Sequence, residues 1–152
     1  MSSGSSSAEA VGHEKTTKLG GHKLHCVVVT PEKTLFDELV EFVALPLHDG
    51  EIGILPGRSP LIGRVGYGEL RTKDGETHRR YYVDGGFVQV RDNVITVLTN
   101  RAIPADQLDP AVAARELEKA EAMTGMSEPE RNEKSKSLAR ARAMSRLLQQ
   151  AR

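Results

Sequence analysis

Up to Pro104 this sequence is rich in glycine and in Val, Ile and Thr; beyond it those residues almost disappear. From residue 105 to the C-terminus the only glycine is Gly125. β-Branched residues suit a pleated, half-buried surface, whereas a glycine-poor run of Ala, Leu, Glu, Lys and Arg suits helix. A chain with the two textures in succession folds as strands followed by helices, an α+β arrangement. Its 152 residues allow one ordinary domain with an appendage.

In the first part, Leu24–Val29 is a strand candidate that ends at Thr30-Pro31, and 33–36 and 39–47 are two more. Extended segments follow over 61–65, 69–72, 77–83, 87–90 and 94–98. Asp74-Gly75 is a hairpin signal, and Asp84-Gly85-Gly86 and Arg91-Asp92-Asn93 are further turns. Short strands cut by turns over about eighty residues predict a β-sandwich or flattened barrel, here assigned to 23–105. With aromatics at 4% and no Trp, its core must rest on Val, Ile and Leu.

The densest local specification lies between Asp49 and Ile62. Gly50, Gly53, Gly57, Pro56 and Pro60 alternate there with the apolar Ile52, Ile54, Leu55 and Leu61. Gly50 and Gly53 are free to take positive φ, while the prolines fix φ and donate no backbone hydrogen bond. The stretch reads as a short strand pinned between tight turns, presenting Asp49, Glu51 and Arg58 on a stiff frame.

After Pro104 the caps place two helices within 106–152. Asp109 is a good N-cap with Pro110 at the first helical position, and Gly125 is a natural C-cap for a helix running to Thr124. Ser127 and Glu130 fit a capping box for a second helix of about 30 Å, running to Gln149. So short a loop makes them an antiparallel hairpin. The apolar faces read as Val112, Ala113, Leu117 and Ala120, then Leu138, Ala141, Met144, Leu148 and Ala151. Alanine buries little surface, so the hairpin needs a neighbour and is able to exchange one neighbour for another.

Charge is polarised along this hairpin although the net charge of the chain is zero. Residues 106–133 carry eight acids against Arg115, Lys119 and Arg131. From Lys134 onward come Lys134, Lys136, Arg140, Arg142, Arg146 and Arg152 with no acid. Cations near a helix C-terminus suit its dipole, but six without a counter-charge point to an acidic protein partner. Nucleic acid is disfavoured, because the cations are scattered around the helix and no aromatic accompanies them.

Residues 1–22 read as a disordered Ser/Gly-rich tail. They have no apolar h-region, and Glu9 and Glu14 without Arg argue against a transit peptide. No apolar run is long enough to span a membrane. The single Cys26 permits no internal disulfide and reads as a small strand residue. His13, His22, His25, His48 and His78 are dispersed, so no metal site is expected. No phosphate loop, nucleophile elbow or catalytic constellation is present, so neither a cofactor nor an enzymatic activity is expected.

The run Gly50-Glu51-Ile52-Gly53-Ile54-Leu55-Pro56-Gly57-Arg58-Ser59-Pro60-Leu61 resembles the signature loop of the epsilon subunits of F-type ATP synthases. Gly85-Gly86-Phe87-Val88-Gln89-Val90 resembles the second signature of that family, and the order of sandwich then hairpin fits it. The resemblance covers Leu24 to the C-terminus. It implies a non-catalytic rotor-stalk subunit, peripheral on the cytoplasmic face of a bacterial plasma membrane and meeting the membrane only through the complex. Gly50, Glu51, Gly53, Arg58, Gly85 and Gly86 would dock on the gamma subunit and the c-ring. The hairpin would lie compact or extend, and when extended Lys134, Lys136, Arg140, Arg142 and Arg146 would approach the beta subunit and inhibit ATP hydrolysis. Arg58 stands where the family usually has His. Some members bind ATP through an Ile/Leu-Asp-x-x-Arg-Ala motif; here Leu108-Asp109-Pro110-Ala111-Val112-Ala113 puts Val112 in the arginine position. Only Asp109 and Arg115 remain as nucleotide candidates, and Arg115 is out of register, so weak or no ATP binding is expected. The other reading of the residues is a free-standing nucleotide or small-molecule sensor, with a ligand clamped between sandwich and hairpin.

Overall fold

The computed structural model describes residues 23–150; the Ser/Gly-rich stretch over 1–22, and Ala151 and Arg152, lie outside the described residues. Ten strands come first: β1 (Leu24–Val29), β2 (Thr34–Val40), β3 (Phe42–Leu47), β4 (Gly50–Ile54), β5 (Leu61–Arg64), β6 (Tyr67–Asp74), β7 (Thr77–Asp84), β8 (Phe87–Arg91), β9 (Val94–Leu98) and β10 (Ala102–Pro104). A 3-10 turn (Ala105–Gln107) leads into α1 (Pro110–Ala122) and α2 (Glu128–Gln150). The strands form two five-stranded sheets, ordered β2-β1-β9-β8-β5 and β10-β7-β6-β3-β4. Only β1 with β9 is a parallel pair; the other ladders are antiparallel.

Leu24, Cys26 and Val28 from β1, Val88 and Val90 from β8, and Ile95 and Val97 from β9 alternate inward with period two and are buried. They meet Val43, Leu45, Ile54, Leu70, Tyr81 and Val83 from the second sheet, which closes the sandwich core.

Three of the crossings between the sheets fall where the sequence places glycine or proline. Leu55 to Pro60 joins β4 to β5, Gly66 separates β5 from β6, and Gly85-Gly86 separates β7 from β8. The last two corners are tied together: Val65 N–H donates to Gly86 O at 2.9 Å, and Gly85 N–H to Gly66 O at 3.1 Å. Gly86 has φ +107°, and a Cβ there would sit 1.8 Å from Leu98 O. Only glycine lets the two backbones come so close. In the Asp49–Ile62 stretch, Gly50 takes φ 141°, whereas Gly53, read as another candidate for positive φ, does not.

Several boundaries differ from the sequence reading: β6 (Tyr67–Asp74) outruns the 69–72 segment at both ends, and three other differences have a visible cause. The segment 39–47 is not one strand: β2 runs to Val40, and Glu41 is the break before β3. Glu41 N–H already donates to Lys73 O of the second sheet at 2.8 Å, so the sheet switch is made there by a long-range bond. The strand β10 was not anticipated. It has three residues, too few for an alternation to be visible, and it is held by pairing with Tyr81, Tyr82 and Val83. Helix α1 ends at Ala122 rather than Thr124. Met123 turns the chain with φ −64° and ψ 143°, so Gly125 needs no left-handed conformation.

The helix starts match the caps. Asp109 Oδ1 accepts from Ala111 N–H at 2.9 Å, with Pro110 at the first position. Ser127 N–H donates to Glu130 Oε1 at 3.0 Å and Glu130 N–H to Ser127 Oγ at 3.3 Å, a reciprocal capping box.

Candidate docking and regulatory interfaces

On β6 and β7 the register sets Tyr67 opposite Asp84, Glu69 opposite Tyr82, and Arg71 opposite Arg80. These six share the outer face of the second sheet, and α2 lies across it, in contact with both strands. Tyr82 is fully buried there with Leu108, Ala113, Ala143, Met144 and Leu147, a second core separate from that of the sandwich. The apolar face of the hairpin is rotated from its expected position. Ala113, Ala120, Ala141 and Met144 are buried and Leu117, Leu138 and Leu148 half-buried, as read; Val112 is exposed, while Ala143 and Leu147 are buried in addition. The sheet decides this, because the concave seat around Tyr82 takes the stripe Ala143-Met144-Leu147.

Charge closes the same interface. Arg140 Nε donates to Asp84 Oδ1 at 3.0 Å, and its guanidinium lies 5.1 Å from the centre of the Tyr67 ring. Burial works against the charge of Arg140, but Asp84, with Tyr67 and Tyr82 adding, outweighs it, so its pKa is raised. Arg101 reaches Asp84 at 3.5 Å and Glu116 of α1 at 3.8 Å, with its guanidinium 5.7 Å from the Tyr82 ring centre. Arg80 is paired with Glu69 and points its Nη2 at Leu147 O, 3.5 Å away, near the end of α2. None of Glu69, Arg80, Asp84 or Arg101 was singled out as a contact in the sequence. The available signal was Tyr81-Tyr82-Val83, a run with no polar alternation, which marks a strand covered on both faces.

The five cations of the second helix that the resemblance assigns to inhibition therefore have different surroundings. Arg142 and Arg146 are exposed and Lys134 half-buried. Lys136 borders a cleft and Arg140 is engaged with Asp84.

The residues read as docking contacts fall at two ends of the sandwich. Gly50 pairs with Leu47, which bridges to Val65 beside the Gly85-Gly86 corner, so Gly50 and Glu51 share that end. Glu51 is exposed and lies 3.6 Å from Arg71. A cleft of about 610 Å³ opens at the corner, lined among others by His48, Arg64, Tyr67, Gly86, Asn100 and Lys136. Arg58 is exposed and belongs to the opposite end, where Gly57 N–H donates to Asn93 Oδ1 at 2.8 Å. Gly53 lies mid-strand on the edge strand β4, 3.1 Å (to its would-be Cβ) from the Phe42 ring. Asp109 is occupied as a helix cap and Arg115 is exposed on α1.

Among the described residues no helix lies on the outer face of the first sheet. Ile62, Phe87 and Leu98 are 76%, 56% and 53% exposed there, and Phe87 is the cross-strand partner of both Arg64 and Leu98. No helix among the described residues is long and apolar enough to cross a membrane.

This arrangement defines a two-part protein: a sandwich that exposes Ile62, Phe87 and Leu98 on the outer face of its first sheet, and a hairpin seated on the outer face of the second. A family model described as ATP synthase, Delta/Epsilon chain, beta-sandwich domain, matches residues 23–105. The chain belongs to the ATP synthase delta/epsilon chain family. The ATP synthase epsilon chain of Rhodopirellula baltica is 48% identical over 123 residues, which cover 81% of this chain and 96% of the relative. That of Rubrobacter xylanophilus is 33% identical over 116 residues, covering 76% and 80%. A chain in the Euglena gracilis mitochondrial ATP synthase structure (OSCP, F1 and c-ring) matches with a TM-score of 0.75 at 24% identity. The match covers 84% of this chain and 82% of that one, and the likeness is one of fold.

Proposed function

We propose that this chain is the epsilon subunit of an F-type ATP synthase, a non-catalytic part of the central rotor stalk. The sandwich docks on the gamma subunit and the c-ring, and the hairpin restrains ATP hydrolysis when it leaves the sandwich and brings its basic helix to the beta subunit. The observation that carries the docking role is the exposure of Ile62, Phe87 and Leu98 on the outer face of the first sheet, where Phe87 and Leu98 stand opposite each other beside the polar Arg64 and Gln89. Exposed apolar side chains rimmed by polar ones mark interaction sites. Glu51 and the Gly85-Gly86 corner at one end of the sandwich supply polar docking contacts for the ring. The complex then sits peripherally, on the cytoplasmic face of a bacterial plasma membrane.

Co-purification from membranes tests the docking. The wild-type chain should retain gamma and c subunits, and Ile62→Glu with Phe87→Glu should release them while the chain stays folded. Retention by the double variant would refute this use of the face. For the hairpin, a chain ending near residue 105 should still bind gamma and should raise the ATPase rate of the assembled complex. An unchanged rate would remove the inhibitory role.

A further inference from the structure

The carboxylate of Asp84 meets a cation that serves each helix of the hairpin. Arg140 of α2 donates to it at 3.0 Å, and Arg101, 3.5 Å from it, also pairs with Glu116 of α1 at 3.8 Å. Asp84 is itself held from three sides. Its N–H donates to Arg101 O at 3.1 Å and lies 3.2 Å from Thr99 Oγ1, and its carbonyl accepts from Asn100 Nδ2 at 3.1 Å. The acid is thus fixed to the sandwich, as is Arg101, and of its two cationic partners Arg140 is the one carried by the hairpin. Its side chain is 10% exposed against 31% for Arg140, so water screens this pair less than an ordinary surface pair.

The apolar part of the seat cannot be selective about where the hairpin goes, because Ala143, Met144 and Leu147 would bury equally well against another apolar groove. The ion pair is directional. An arginine that already has a carboxylate and an aromatic face has little to gain from a second acid. We propose that Asp84 is a latch. It is an acid built into the sandwich that occupies Arg140, and through Arg101 and Glu116 steadies α1, so that an acidic partner can draw the hairpin away only by competing with Asp84 for Arg140. The idea deepens the inhibitory reading above and rests on it for its consequence, though not for its geometry.

Hydrogen exchange of the isolated full-length chain tests the latch independently of any complex. In Asp84→Asn the amides of α2 between residues 138 and 147 should exchange roughly tenfold faster, as expected when one charge-assisted hydrogen bond is weakened. Amides of β1 and β9 should keep their wild-type rates. Unchanged protection of α2 would overturn the proposal. Because Asn at position 84 could disturb the corner, Arg140→Gln removes the same bond from the helix side at little cost in helix propensity. It should give the same acceleration, and the double variant no more than either single one; multiplied effects would show two independent contacts and defeat the latch. Arg142→Gln, at an exposed position on the same helix, should leave exchange unchanged.

In the assembled complex Asp84→Asn frees Arg140 and should inhibit hydrolysis more strongly than wild type. Faster exchange in the isolated chain with unaltered hydrolysis would keep the latch and reject the switching function.

Discussion

Tyr81 and Tyr82 are consecutive residues of β7 and belong to different cores. Tyr81 points into the sandwich, where its ring meets Phe36 edge-on at 6.0 Å and 63°. Tyr82 points the other way and is fully buried under the hairpin. Alternation along a strand puts neighbours on opposite faces, so one dipeptide reports on two interfaces. Tyr82→Ala should loosen the hairpin, with cost of order 3 kcal/mol confined to α1 and α2. Tyr81→Ala should lower the stability of the sandwich itself. Denaturation followed by exchange at β9 and at α2 separates the two. Equal loss at both sites in both variants would mean that the molecule has one cooperative core.

The Gly85-Gly86 corner should be intolerant at its second position. In Gly86→Ala the methyl would lie 1.8 Å from Leu98 O and the backbone would keep φ +107°, so β8 or β9 must move. A loss of at least about 2 kcal/mol is expected. Gly50→Ala is the contrasting case. No atom lies within 4 Å of the added Cβ, so only the strain of φ +141° remains, about 1 kcal/mol. Urea midpoints of the two variants check the order, and a larger loss at position 50 would contradict the clash.

Alkaline pH should weaken the fold from about pH 9 upward. Burial pushes the Cys26 thiol up to about 12 from 9.0, with Asp37 adding to the effect. Burial also raises the Tyr82 hydroxyl, with Asp84 adding and Arg101 opposing. In each case the folded pKa lies above the unfolded one. The folded state therefore holds a proton that the unfolded chain has released, and stability falls as pH rises between the two values. The contribution is complete below the unfolded pKa. Cys26→Val should postpone the onset to the tyrosine range, near pH 10. Guanidinium midpoints measured from pH 8 to 11 test this, and identical profiles for the variant and wild type would exclude the thiol as the cause. The same burial predicts that thiol reagents modify Cys26 only after unfolding.

ATP should not bind the isolated chain with useful affinity. Val112 is 36% exposed on α1 and has no donor for a phosphate, and the carboxylate of Asp109 is engaged in capping Ala111. Titration calorimetry should give no saturable heat at micromolar nucleotide. Micromolar binding would require a site outside these residues.

The strands β1, β5, β8 and β9, the Asp74-Gly75 hairpin and both helix starts were legible because each depends on residues within a few positions of one another. Two-residue alternation, a capping oxygen and an obligatory glycine are local facts. The strand break at Glu41 and the three-residue β10 were not legible, since a partner far along the chain sets each of them, whereas the early end of α1 is a local turn at Met123, whose N–H donates to Ala120 O. Lys73 fixes the first, and Tyr81 to Val83 fix the second.

The basic second helix shows the same division at the level of function. Its unbalanced charge and its meagre alanine stripe were written in the sequence, and with them the expectation of an acidic protein partner and the need for an apolar seat. Which seat the stripe takes, and that an acid of the same chain meets Arg140 beside it, depended on the folded sheet. Asp84 lies fifty-six positions from Arg140 in the chain, and only the pairing of β6 with β7 aligns it with Tyr67 and Tyr82 beneath the helix. The sequence determined what the hairpin must find, because charge and hydrophobicity belong to residues. The tertiary structure decided where it finds them, because proximity belongs to the fold.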